Sequence, residues 1–155
     1  MGYKLAPFSS LLIANFIILV CFGLQGILIP LRGGIENFSA TLLGIIGGAY
    51  YAGYFWGAIH CPKVVQRSGH IRSFAVFASL ASITPLVHAI FPNEYVWIAL
   101  RVLSGYCFAG LILVIESWLN EQVDNENRGR LFGTYLMVTL LSLILAQLSI
   151  NLASP

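Results

Sequence analysis

Charge is what this sequence has least of. Only 9% of its 155 residues are Asp, Glu, Lys or Arg, where a soluble globular domain carries about 25%. Hydrophobic residues make up 58%, and the mean hydropathy is +0.84. This balance excludes a disordered chain and an ordinary water-soluble domain, and points to lipid as the solvent. The net charge of +2 gives no nucleic-acid footprint. Cysteine is also sparse. Cys21, Cys61 and Cys107 are odd in number, and each lies in or at the end of an apolar run. No Cys-x-x-Cys spacing occurs, so neither a disulfide framework nor a zinc site is expected, and the three read as small buried hydrophobes. Catalytic signatures are missing too: there is no Gly-x-Ser-x-Gly, no His-Glu-x-x-His and no phosphate-binding loop. Nothing groups His60, His70 and His88 with Glu116. No enzyme, cofactor or metal site is therefore expected, with an intramembrane hydrolase as the disfavoured alternative.

What is present is a series of long apolar runs. A spanning helix needs roughly 20 mostly apolar residues to cross about 30 Å of hydrocarbon. Five stretches meet that need: about Leu11–Leu31, Thr41–Cys61, Ser73–Phe91, Tyr95–Leu119 and Leu131–Leu152. Backbone groups in lipid must be satisfied internally, so these are expected to be helices. They lack the alternation of outer-membrane strands. The first run is too long for a signal-peptide core and no small-residue cleavage site follows it, so it reads as a retained span ending at Leu31-Arg32-Gly33-Gly34. Pro30 and Pro85 are expected to end or kink their helices.

Basic residues set the expected orientation. Lys4, Lys63, Arg67, Arg72, Arg128 and Arg130 all fall on one side if the N-terminus is cytoplasmic, and only Arg32 falls on the other. The expectation is a multi-pass membrane protein, with the N-terminus inside and the C-terminus outside.

Small and polar residues interrupt the apolar runs. Gly44/Gly48 and Gly53/Gly57 in span two have the four-residue spacing that lets helix backbones approach closely. Span four carries Ser104, Gly105, Ala109 and Gly110, and Gly129/Gly133 repeat the spacing at the start of span five. Plain helix packing explains most of these; glycine faces that allow helices to rock are the functional alternative. Ionisable groups at membrane depth carry a cost of about 2.5–3.5 kcal/mol each on insertion scales. Arg101 and Glu116 both lie in span four. They are about 22 Å apart along the axis, so they cannot pair with each other. Arg101 either snorkels outward or, as the glycine-rich face that follows it favours, points inward as a substrate or coupling candidate. Glu116 either reaches the membrane interface beside Trp118 and Asn120 or joins a network with Arg128 or Arg130. Asn15 and Gln25 lie ten residues apart in span one, close to one face. They are expected to line a cavity or to bond across helices, as are His60, His88 and Gln147.

Between spans two and three the chain reads Pro62-Lys63-Val64-Val65-Gln66-Arg67-Ser68-Gly69-His70-Ile71-Arg72. This resembles the major facilitator superfamily signature, usually Gly-x-x-x-Asp-Arg-x-Gly-Arg-Arg. Ser39-Ala40-Thr41-Leu42-Leu43-Gly44 resembles the family's start of helix two, and Arg101-Val102-Leu103-Ser104-Gly105 its Arg-x-x-x-Gly motif in helix four. Glu116-Ser117-Trp118-Leu119-Asn120 and Arg128-Gly129-Arg130-Leu131-Phe132-Gly133 are most similar to the YcaD-like bacterial branch. Two positions depart from the signature: Gln66 stands for Asp, and Pro62 for Gly.

The resemblance implies an all-α polytopic membrane bundle. The whole chain, 1–155, would be part of the family's N-terminal six-helix half. It also implies movement of a small solute by alternating access, with protons as a coupling option and no cofactor. Gln66, Arg67, Gly69 and Arg72 would form the conformational latch, weakened because Gln66 brings no charge. A full member has twelve spans in two halves. Five spans and an abrupt Ala153-Ser154-Pro155 end lead to the expectation of an N-terminal fragment. A non-functional truncated product and a module pairing with a separately encoded second half are the rivals.

Overall fold

The structure is a computed structural model and describes residues 8–153, so Lys4 and the Ser154-Pro155 end lie outside the described residues. Among the described residues the chain is all-α, with no strand. Five helices follow in order: α1 (Ser9–Ile35), α2 (Ala40–Ser68), α3 (His70–Ile90), α4 (Glu94–Gln122) and α5 (Arg128–Ala153). All five are long and apolar enough to cross a membrane. Their exposed faces carry large apolar side chains such as Ile17, Phe55, Leu86 and Leu140. In water such faces would be a liability. In lipid they are the solvated surface.

The helix boundaries differ from the sequence expectation at three places. First, α1 does not end at Leu31 but runs to Ile35. Its stop is built by Asn37, which adopts the left-handed conformation at φ 61°. Phe38 N–H then donates to the Gly33 carbonyl at 2.9 Å and Asn37 N–H to the Gly34 carbonyl at 3.1 Å. That is the double hydrogen bond that satisfies the last carbonyls of a helix. Arg32 pairs with Glu36 at 2.6 Å one turn away, and this ion pair accompanies the same helix end. Second, Pro30 and Pro85 do not end their helices but sit inside α1 and α3, as Pro62 does in α2. Proline is tolerated there because local adjustment and neighbouring groups re-satisfy the freed carbonyls.

Third, the loop expected between spans two and three is nearly absent. α2 ends at Ser68 and α3 begins at His70, with Gly69 alone between them. Gly69 has φ 78° and ψ 165°, a region open essentially to glycine alone. This is a physical reason for glycine in the Arg67-x-Gly69 motif. Gly69→Ala is expected to destabilise the chain by about 1–3 kcal/mol, the cost of strain in that region. Thermal unfolding in detergent measures it, and an unchanged midpoint would show that the turn can relax.

The N-termini of α2 and α4 are capped by side chains. The Ser39 hydroxyl accepts from Leu42 N–H at 3.2 Å, and the Asn93 side-chain oxygen accepts from Tyr95 and Val96 N–H at 3.0 and 3.2 Å. Serine and asparagine are favoured here because a helix start leaves its first N–H groups without partners.

The chain divides into two units. One comprises residues up to 29 together with those from 117 onward, and the other is Pro30–Glu116. In the first unit α1 packs on α5. A Cβ at Gly23 would come within 2.6 Å of the Ala146 methyl, and the fully buried Asn15 donates from Nδ2 to the Thr139 hydroxyl at 3.2 Å.

In the second unit α2 and α4 meet backbone to backbone. A Cβ at Gly53 would overlap the Val102 carbonyl, one at Gly105 would overlap the Tyr50 carbonyl, and one at Gly57 would crowd Tyr106 and Ala109. On α3, the Phe77 ring packs against Gly110 of α4. Gly44 and Gly48 share the spacing of Gly53/Gly57 but not its role: both are exposed and meet nothing within 4 Å among the described residues. Gly129 and Gly133 are open in the same way. Spacing alone does not make a contact, because the partner helix must also present a small residue at the same depth.

Candidate functional site

The close approach of α2 and α4 places Tyr50 and Arg101. Tyr50 lies one turn before Gly53, and Arg101 one turn before Gly105, so both flank the glycine contact. The Arg101 guanidinium carbon stands 4.5 Å from the centroid of the Tyr50 ring. Arg101 is only 7% exposed. Its Nε and Nη1 are buried with no hydrogen-bond acceptor among the described residues, and the ion pair seen there, Arg32–Glu36, does not involve it.

The magnitudes leave a deficit. A desolvated cation over an aromatic ring gains about 2 kcal/mol, while the effective penalty for burying an ion is several kcal/mol. The ring therefore offsets only part of the cost. A snorkelling arginine would be exposed at its tip, so the burial of Arg101 argues against that reading.

Two neighbouring polar side chains have their protons committed to main-chain carbonyls. Ser104 donates its hydroxyl to the Arg101 carbonyl at 3.1 Å. His88, on α3, has Nδ1 at 2.7 Å from the Thr84 carbonyl. A carbonyl only accepts, so Nδ1 carries the proton. The His88 ring lies edge-on to Trp97, centroids 5.2 Å apart, and Trp97 is one turn before Arg101 on α4. Trp97 in turn donates its indole N–H to the Phe91 carbonyl at 2.9 Å.

The other sequence candidates fall elsewhere. Asn15 and Gln25 belong to the first unit, and each keeps a buried side-chain oxygen, Oδ1 and Oε1, with no donor among the described residues. Buried acceptors of that kind call for an explanation. Glu116 is exposed and engaged in an interaction of its own. Gln66, Arg67 and Arg72 are exposed around the Gly69 turn.

Sequence reading missed Tyr50, and it missed an aromatic cluster. His60 Nδ1 meets the Tyr106 hydroxyl at 2.7 Å, with the Trp56 ring stacked on His60 and tilted against Tyr106. Only the paired glycines hinted at these contacts, since they fix which residues of α2 and α4 face each other. No group of three or more metal-ligating side chains occurs among the described residues.

The family model of the Major Facilitator Superfamily matches residues 11–151. The chain belongs to the Major Facilitator Superfamily. Among its relatives is an uncharacterized MFS-type transporter of Enterobacter sp. (strain 638), 26% identical over 145 residues, which covers 94% of this chain and 38% of the relative. The uncharacterized MFS-type transporter YcaD is 26% identical over 148 residues in both Escherichia coli O139:H28 and Escherichia coli K12 (DH10B), covering 96% of this chain and 39% of the relative. The chain thus spans well under half the length of the curated relatives it matches. No solved structure matches it. As a superfamily member with five apolar helices, it is a multi-pass membrane protein.

Proposed function

We propose that this chain contributes to secondary transport of a small solute across a bacterial inner membrane by alternating access, with its N-terminus in the cytoplasm. The observation that carries the reading is the buried, unneutralised Arg101 on α4 of a major facilitator chain. A charge held at membrane depth without a partner is retained for function rather than for stability. Asn15 and Gln25 are weaker candidates for solute contact, and Gln66, Arg67, Gly69 and Arg72 for the conformational latch.

The orientation is testable directly. Reporter fusions after Arg72 and Arg130 are expected to report cytoplasm, because these loops hold the Lys and Arg residues that favour the inner side. A fusion after Pro155 is expected to report the outside. A cytoplasmic signal there would overturn the orientation.

A second reading rests on the 38–39% coverage of the relatives: this chain acts as a module that works against a further bundle of the kind those longer relatives have room for. Alternating access rocks one bundle against another around a site between them. Liposomes holding the 155-residue chain alone are therefore expected to take up labelled solutes no faster than empty vesicles. Saturable uptake by the chain alone would defeat both the module reading and the need for a second bundle.

A further inference from the structure

We propose that Arg101 is the binding point for a free solute of one chemical class, a small monocarboxylate whose oxygens accept from its unpartnered N–H groups. This rests on the transport reading above and names the class of solute. The Tyr50 ring covers one face of the guanidinium at 4.5 Å but offers its face, not a lone pair, so the edge carrying the N–H groups stays unserved. The Ser104 hydroxyl proton is committed to the Arg101 carbonyl, and His88 holds its Nδ1 proton on Thr84. Neither side chain brings negative charge.

A neutral solute such as a sugar would leave the charge uncompensated. A dianion such as a phosphate monoester would need a second cation. Among the other basic residues of this unit, Arg32 is paired with Glu36. Lys63, Arg67 and Arg72 are exposed and sit toward the far end of α2 or beyond it, the nearest about 20 Å along the helix from Tyr50. A single planar carboxylate matches a single planar guanidinium in charge and geometry. The same oxyanion chemistry is also offered by a lipid phosphate. Burial to 7% exposure, about 10 Å inside the start of α4, favours a solute over a headgroup.

The test uses the 155-residue chain in phosphatidylcholine nanodiscs, with thermal unfolding as the readout. Sodium propionate at constant ionic strength is expected to raise the midpoint saturably, with a half-effect concentration at least about tenfold below that of neutral propionamide. Arg101→Lys should keep a weaker response. Arg101→Gln, checked for helicity by circular dichroism, should lose it. If Arg101→Gln does not fold, the propionate–propionamide comparison on the unaltered chain decides alone. Equal effects of propionate and propionamide, or an unchanged response in a folded Arg101→Gln, would overturn the site. Adding phosphatidylglycerol to the nanodiscs should leave the propionate response unchanged, and competition by that lipid would make the occupant a headgroup and overturn the solute. The two readings fail separately. Propionate binding without flux in a complete transporter would sink transport and leave the site. Flux of a neutral solute indifferent to Arg101→Lys would sink the site and leave transport.

Discussion

Gly105→Val is expected to cost at least about 3 kcal/mol, the upper end of overpacking effects, because its Cβ has nowhere to go. The overlap is with the Tyr50 carbonyl of the facing backbone. A flexible side chain yields by changing rotamer, but a helix backbone yields only by moving the whole helix. Gly44→Ala supplies the contrast. It has the same spacing to Gly48 as Gly53 has to Gly57, yet nothing among the described residues lies within 4 Å of it, so its effect should stay within about 0.5 kcal/mol. Thermal unfolding in detergent, followed by circular dichroism, measures both. Equal midpoints for Gly105→Val and Gly44→Ala would show that α2 and α4 do not meet backbone to backbone. The same substitution should separate Tyr50 from Arg101, since both flank this contact.

The second large effect concerns Arg101, where stability and function are expected to move in opposite directions. A buried charge with no anion beside it is a burden on the fold. Replacing buried ions by apolar residues of similar size is often neutral or stabilising by about 1–4 kcal/mol. Arg101→Leu should therefore unfold at an equal or higher temperature than the unaltered chain, while abolishing uptake in a complete transporter. Arg101→Lys should restore uptake only in part, because a point charge on a flexible stem does not reproduce the planar array of donors. Melting curves and uptake assays on the same preparations separate the cases. Loss of stability in Arg101→Leu would mean that the guanidinium is structurally neutralised. Full uptake with lysine would remove the need for guanidinium geometry.

Part of the fold was legible because lipid imposes a simple rule. A run of about 20 apolar residues must be helical to satisfy its own backbone. Spans two to five accordingly lie largely within α2 to α5. The helix ends were less legible, because helices continue past the apolar core into polar residues. Arg32 to Ile35 extend α1, and Lys63 to Ser68 extend α2, with no change in backbone hydrogen bonding to mark the lipid edge. Proline does not mark helix ends for a related reason: its penalty is stated for a helix interior in water, and Pro30 and Pro85, like Pro62, lie within helices.

The sequence by itself determined the class of solvent, the helical state of the apolar runs, the family, and the presence of an arginine at membrane depth. Each follows from composition or from residues near one another in the chain. Tertiary structure decided which glycines matter and what Arg101 touches. Gly44/Gly48 and Gly53/Gly57 are indistinguishable as spacings. They part only because α4 brings Val102, Tyr106 and Ala109 against the second pair, and nothing among the described residues lies against the first. Tyr50 and Arg101 meet across two helices far apart in sequence. That pairing depends on the depth at which α2 and α4 interlock, a quantity set by backbone contact between helices and written in neither helix alone.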